Sequence, residues 1–213
     1  MADAPDPIDP MEMPAELTVV GIAGSLRTQS FNRGLLRAFA ALAPDGMRIE
    51  TFDLAAIPLY NSELDENYGG GPYPRPVADL RARVDAADAL LIVTPEYNWG
   101  PPGVVKNAID WMSRPVGTCP LAHKPVALAG TSPGPAGTGR AQLQLRQHLL
   151  STDSLVLQRP IVQRGAATTL FDATPDLIDE KARDLVHTHL VALAEWTIRL
   201  AAPLPAGAPI RLG

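Results

Sequence analysis

Short apolar segments alternate along the chain with longer segments in which apolar side chains recur every three or four residues. The short segments predict buried β-strands, and the longer ones predict helices with one apolar face. The predicted strands are residues 17–22, 47–52, 89–94 and 126–129, and a fifth formed by residues 155–157 and 161–162 with a bend at Pro160. The predicted helices are residues 31–42, 77–87, 104–112, 141–149 and 175–200.

This alternation predicts an α/β fold in which one parallel sheet is covered by helices on both faces. Ligands of such folds bind beyond the carboxyl ends of the strands, where the strand order reverses. We therefore expect the loops after the first, third and fourth strands to share one site. The loop at residues 58–76 is unusually long for a compact domain, and ordered loops of that length are often functional.

The two ends of the chain differ in composition from the rest. Residues 1–16 contain five acidic residues, four prolines and no basic residue, and residues 203–213 are again rich in proline. We interpret both segments as flexible tails on one domain at residues 17–202.

Charge and composition exclude several classes of protein. The 213 residues include 18 basic and 23 acidic side chains, and without residues 1–16 the two charges balance. A general nucleic-acid-binding domain normally has a basic excess, so we expect no nucleic-acid partner. No apolar segment approaches the roughly 20 residues that span a bilayer, and no signal peptide is evident, so we expect no membrane partner. The single Cys119 requires no oxidising compartment, which favours the cytoplasm. The four histidines lack metal-ligand spacing, so we expect no metal centre.

The loop after the first strand, Gly24–Asn32, has the groups needed to hold a phosphate. It contains hydroxyls, an amide and the Arg27 guanidinium, and it leads directly into the N-terminus of a helix. It lacks the lysine and spacing of a nucleoside-triphosphate loop, and it lacks GxGxxG. A simpler alternative is that Ser30 only caps the helix and that Arg27 is a solvated surface residue.

The other two loops are also chemically distinctive. Residues 94–103 place two aromatic side chains and an amide where a flat ligand could rest, although they also fit a simple turn. Residues 131–140 contain three glycines, which allow a close approach of the backbone to a ligand. Three such loops at one sheet edge favour a shared binding site.

Three motifs in these loops, together with DLAAIPLYN at residues 53–61, resemble a known family. GSLRTQSFN, PEYNWGPPGVVKNAIDW and SPGPAGTGRAQLQLR are similar to the NADPH-dependent FMN reductase family, and within it to the bacterial chromate, quinone and azo-dye reductases. The likeness extends from about residue 17 to residue 150. It implies a flavodoxin-like, doubly wound, five-stranded parallel sheet in the order 2-1-3-4-5, with helices on both faces.

The resemblance also implies a binding site for FMN. The implied phosphate ligands are Ser25, Arg27, Gln29, Ser30 and Asn32, with the backbone of Phe31. The residues implied to line the isoalloxazine ring and ribityl chain are Pro95, Glu96, Tyr97 and Asn98, and those implied to contact the ring from the third loop are Ser132 and Gly134. No catalytic side chain is required, because the cofactor performs the redox chemistry.

The predicted function is therefore an FMN-dependent NAD(P)H oxidoreductase. NADPH or NADH would give a hydride that passes through FMN to a small acceptor (a quinone, azo compound, chromate or free flavin) by a ping-pong mechanism. Tyr97, Trp99 and the loop at residues 61–75 would border the site, and the family suggests a homodimer or homotetramer. The alternatives are a flavodoxin-type electron carrier, a non-catalytic flavin-binding protein, or a protein of this fold that binds another phosphate ligand. In the KNAIDW motif, we expect Asn107 and Asp110 to brace the structure and Trp111 to pack in a core or interface.

Overall fold

The computed structural model describes residues 16–201, so the two predicted tails lie outside it except for Glu16. The strands are β1 (Leu17–Ala23), β2 (Met47–Phe52), β3 (Ala89–Val93), β4 (Pro125–Thr131), β5 (Leu155–Val156) and β6 (Val162–Arg164). The helices are α1 (Phe31–Ala41), α2 (Arg75–Ala86), α3 (Gly103–Met112), α4 (Gly139–Leu150), α5 (Ala167–Leu170) and α6 (Glu180–Ala201).

The strands form one parallel sheet in the order β2-β1-β3-β4-β5, which confirms the predicted flavodoxin-like fold. The predicted fifth strand consists of two short strands, β5 and β6, which both pair with β4. β5 pairs with the start of β4, and β6 pairs with its end, where Thr131 lies beside Arg164. The interruption falls around Pro160, whose nitrogen carries no hydrogen for the ladder.

Apolar side chains fill both sides of the sheet. Helices α1 and α6 cover one face, and α2, α3 and α4 cover the other. Every residue of β3 is buried, with Leu90 and Ile92 facing one helical layer and Leu91 and Val93 facing the other. Burial on both faces explains why this strand is continuously apolar instead of alternating.

The last helix begins at Glu180, not near Pro175 as the periodicity predicted. The residues before it form a turn in which Phe171 and Leu177 pair as an antiparallel bridge. The side chain of Asp179 accepts the N–H of Ala182 and so caps α6. The apolar positions in this turn pack on α1 without being helical, which is why their spacing was misleading.

The long loop is ordered against α3. The indole N–H of Trp111 donates to the carbonyl of Pro58 at 2.7 Å, and the Asn107 side chain donates to the same carbonyl at 2.8 Å. Asn107 also accepts the N–H of Tyr60 at 2.7 Å. Trp111 is fully buried, and Asp110 pairs with Lys106 at 2.6 Å. The bracing and packing roles expected for this motif are therefore confirmed.

Candidate functional site

The three polar loops meet in one open cleft of about 210 Å³ at the carboxyl edge of β1, β3 and β4. Its lining consists of Ser25, Arg27, Ser30, Phe31, Asn32, Pro95, Glu96, Tyr97, Thr131, Ser132 and Pro133. All but three of the predicted site residues are in this lining. The exceptions are Gln29, Asn98 and Gly134, which are exposed on the same loops.

The first loop presents a run of unused backbone donors. Within the described residues, none of the N–H groups from Ser25 to Phe31 has an acceptor. The Ser30 side chain caps α1 by accepting the N–H groups of Asn32 and Arg33 at 3.2 and 3.4 Å. Leu26 to Gln29 are exposed, and the first N–H groups of α1 have no acceptor within the helix, so this loop offers its donors to a ligand at the helix N-terminus.

Arg27 supplies the positive charge of this loop. Its guanidinium carbon lies 6.0 Å from the centroid of the Phe31 ring, and its side chain makes no ion pair within residues 16–201. The group is therefore available to an anion at the N-terminus of α1, where the helix dipole also favours negative charge.

Asn32 joins the first and third loops. Its side-chain amide donates to the carbonyl of Thr131 at 2.9 Å, and its side-chain oxygen accepts the N–H of Thr131 at 3.0 Å. Asn32 is buried, and both hydrogen bonds lie inside the protein. Its side chain thus fixes the end of β4 against the start of α1 and directs neither group toward the cleft.

The second loop contains a two-residue hairpin turn. Tyr97 and Gly100 exchange backbone hydrogen bonds of 2.9 and 3.0 Å, and both Asn98 and Trp99 have a positive φ. The Tyr97 hydroxyl reaches across to the Ser25 hydroxyl at 3.4 Å. The half-exposed Tyr97 ring therefore stands between the first and second loops.

Glu96 links the second loop to α4. Its carboxylate accepts the N–H groups of Arg140 and Ala141 at 3.0 and 3.2 Å and pairs with the Arg140 guanidinium. Burial by itself would raise the pKa of this carboxyl. The hydrogen bonds from Arg140 and Ala141 outweigh burial, so the pKa is lowered and Glu96 is ionised at neutral pH.

A fourth segment, which sequence reasoning missed, supports the third loop. The N–H of Ser132 donates to the carbonyl of Arg164 at 3.0 Å, and the N–H of Ala167 donates to the carbonyl of Ser132 at 3.1 Å. A Cβ on Gly165 would lie 2.6 Å from the carbonyl oxygen of Pro135, so only glycine fits here. The signal was available, because this segment also follows a strand that ends at the carboxyl edge.

Other expectations about the site have different outcomes. Trp99 and the loop at residues 61–75, which we expected at the border of the cleft together with Tyr97, are both absent from its lining, and Tyr73 of the loop packs on Trp111 of α3. Residues 16–201 contain no group of three or more side chains arranged to hold a metal ion. Over the same range, every helix is too short or too polar to cross a bilayer.

The sheet order, with three polar loops at its carboxyl edge, defines a flavodoxin-like protein. The sequence profile described as NADPH-dependent FMN reductase matches residues 17–169. An NAD(P)H-dependent FMN reductase of Pseudomonas aeruginosa is 46% identical over 188 residues, covering 88% of this chain and 99% of the relative. The chain therefore belongs to the NADPH-dependent FMN reductase family.

Two further similarities agree with this membership. A quinone reductase of Escherichia coli strain K12 is 37% identical over 190 residues, covering 88% of this chain and 99% of the relative. The solved structure of FerB, a flavoenzyme NAD(P)H:(acceptor) oxidoreductase from Paracoccus denitrificans, is 32% identical with a TM-score of 0.76, covering 86% of this chain and 98% of that one. The protein is an oxidoreductase with FMN as its cofactor, NADPH or NADH as its electron donor and a small molecule as its acceptor.

Proposed function

We propose that the protein binds FMN in the cleft and transfers electrons from NADPH or NADH to a quinone. The observation that carries this proposal is that, within residues 16–201, the N–H groups from Ser25 to Phe31 have no acceptor and the neighbouring Arg27 has no ion-pair partner. A phosphate monoester is negatively charged and has several acceptor oxygens, so it can accept hydrogen bonds from these N–H groups and pair with the Arg27 guanidinium.

The other loops are suited to the ring and the ribityl chain. Within the described part of the chain, the backbone N–H groups of Glu96, Asn98 and Gly134 have no acceptor, so they are free to bind the polar edge of a flavin ring. We assign Pro95 and Tyr97 to the apolar contacts along that ring and the Ser132 hydroxyl to its third-loop side. In the first loop, Ser25 and Gln29 would add side-chain contacts to the phosphate. Ser30 and Asn32 would act there by holding the N-terminus of α1 in place.

Bound FMN would supply two-electron chemistry between the nicotinamide and the acceptor. The balanced reaction is NAD(P)H plus a proton plus quinone giving NAD(P)⁺ plus hydroquinone. Glu96 is held ionised by Arg140, so it has no proton to give. The cleft is open to solvent, and we propose that solvent supplies the extra proton.

Donor and acceptor would use this open side in turn, which is a ping-pong mechanism. Azo compounds, chromate and free flavin fit the same two-electron chemistry, and quinones are favoured because quinone reductases are prominent among the relatives. We further propose that the protein acts in the cytoplasm as a homodimer or homotetramer. The exposed Tyr97 and Trp99 and the α3 region would supply the subunit contacts.

The test begins with the visible spectrum of the purified protein, where we expect a bound flavin released as FMN by heating. Steady-state rates with NADPH and with NADH are then measured against a panel of quinones, an azo dye and chromate. Double-reciprocal plots should give parallel lines. A flavin-loaded protein that oxidises neither nicotinamide in the presence of quinone would refute the proposal.

A further inference from the structure

A second groove adjoins the cleft on the side of β2. It has a volume of about 250 Å³ and lies between α1 and the carboxyl ends of β1 and β2. Ala23 and Arg33 line this groove, whereas Ser25 and Asn32, which are close to them in the chain, line the cleft. A ligand held at the N-terminus of α1 therefore has room to extend from the cleft into the groove.

The groove combines apolar and polar side chains. Leu36 is buried in the core under α1, whereas Thr51 and Asp53 are exposed at the end of β2. The Arg33 guanidinium donates to the Asp53 carboxylate at 3.0 Å, and within residues 16–201 this is its only hydrogen bond. Its remaining N–H groups are therefore available to an anion in the groove.

These side chains match the adenosine phosphate half of a dinucleotide. In doubly wound sheets that bind dinucleotides, an acidic side chain accepts hydrogen bonds from the ribose hydroxyls. Asp53, the first residue after β2, is placed to do the same. Its carboxylate accepts the N–H of Ala55 and one N–H of Arg33, and 52% of the side chain is exposed, so lone pairs remain for a ribose. The adjacent Arg33 guanidinium would then meet the phosphate.

We propose that this groove is an adenylate subsite, which binds the adenosine phosphate half of a dinucleotide that enters it from the cleft. The inference rests on the proposed function, because it takes the first loop as the site of the flavin phosphate. FAD is the source favoured by position, since its second phosphate and adenosine are attached where FMN ends. The diphosphate of FAD carries about the same charge as the phosphate of FMN, so FAD needs no additional cation. The other source of the same group is the adenosine phosphate end of NADPH or NADH.

The test is an equilibrium exchange of flavins on the FMN-loaded protein. Increasing concentrations of FAD are added, the protein is desalted rapidly, and the flavin that remains bound is identified by chromatography. We expect FAD to replace FMN and to bind at least as tightly, because the adenosine phosphate adds contacts in the groove. Riboflavin, which lacks the phosphate, is the control and should not replace FMN.

Two variants change the groove and leave the lining of the cleft intact. Arg33→Gln removes the cation and should lower the affinity for FAD about tenfold relative to that for FMN, whereas Arg33→Lys keeps the charge and should recover most of the loss. Thr51→Trp fills the groove from β2, where an aromatic side chain suits a strand, and should exclude FAD. FMN that remains bound to Thr51→Trp shows that this variant folds. Arg199→Gln removes an equal charge from α6 and should leave both affinities unchanged.

A second measurement separates the two sources of the adenosine phosphate. KM for NADPH and for NADH is determined at saturating quinone in the FMN-loaded wild type, Arg33→Gln and Thr51→Trp. A changed ratio of FAD to FMN affinity in the variants identifies FAD as the occupant, and a raised donor KM identifies the nicotinamide dinucleotide. The proposal is overturned if the two variants change neither the affinity ratio nor the donor KM. A wild-type protein that binds no FMN would instead refute the proposed function itself.

Discussion

At the scale of single residues, two side chains in the cleft act on the protein itself. The Asn32 amide binds Thr131, and the Glu96 carboxylate binds Arg140 and the N-terminus of α4. The motifs identified their positions, but a motif does not state whether a polar group faces a ligand or a neighbouring loop. That distinction depends on contacts between residues far apart in the chain, such as residues 32 and 131.

Arg27 is the residue whose change tests the phosphate site most directly. Arg27→Ala removes the positive charge beside the N–H groups of the first loop, so we expect FMN affinity to fall by about 1.5–3 kcal/mol, the usual contribution of a charged hydrogen bond. Fluorescence titration of the flavin-stripped protein measures the dissociation constant. Arg199→Ala on α6 is the matched control. An unchanged dissociation constant in Arg27→Ala would mean that the phosphate binds elsewhere.

His189 makes stability depend on pH. It is buried on α6, its Nδ1 lies 2.8 Å from the Pro160 carbonyl, and burial, reinforced by Arg146, lowers its pKa to about 4. In the unfolded chain its pKa is near 6.5, so the unfolded state binds the proton more readily as pH falls. His189 therefore does not reduce the free energy of unfolding above about pH 6.5. As the pH falls from 6.5 toward 4, protonation of this residue in the unfolded chain lowers that free energy progressively.

We expect urea unfolding to give about 2 kcal/mol less stability at pH 5 than at pH 7.5 from this residue. His189→Gln should remove most of that difference. His187→Gln changes an exposed histidine on the same helix and should retain it. If His189→Gln and wild type lose equal stability between the two pH values, other groups account for the effect.

At the scale of elements, the sheet and most helices were predictable because the signal is local. β3 is buried on both faces, so five consecutive apolar residues identify it without any knowledge of its neighbours. The start of α6 was not predictable in the same way. Leu177 has helical spacing from later apolar residues, yet it pairs with Phe171 across a turn. Spacing records which side chains are buried, and it does not record the backbone conformation that buries them.

The support of the third loop is an element-scale contact that can be tested. Gly165→Ala would bring a Cβ to 2.7 Å from the Gly134 carbonyl oxygen, so the loop must shift. We expect flavin affinity to fall about tenfold, and because the clashing atoms belong to the backbone we expect the unfolding free energy to fall as well, by about 1–3 kcal/mol. Gly71→Ala is the control, since a Cβ there meets nothing within 4 Å. Equal flavin affinities in the two variants would show that the third loop does not hold the ring.

At the scale of the whole molecule, the excess negative charge lies in the N-terminal segment and not among the residues proposed to bind FMN. The formal net charge of -5 arises from residues 1–16, and the rest of the chain is balanced. All residues assigned to FMN lie between positions 25 and 134, inside the range that matches the family. Glu16 pairs with Arg48 on β2, an exposed contact that contributes little to stability.

Deletion of residues 1–14 tests whether the charge of this segment affects flavin binding or turnover. It removes four acidic residues and no basic one, so the formal net charge changes from -5 to -1 while Glu16 and β1 remain. We expect the FMN dissociation constant and the rate of NADPH oxidation to stay within about twofold, because screening at physiological salt confines the influence of exposed charges to roughly 8 Å. Flavin titration and steady-state assays at 20 and 150 mM salt make the comparison. A large loss at both salt concentrations would mean that the segment contacts the cleft or a second subunit, and a loss confined to low salt would mean that its charge acts at long range.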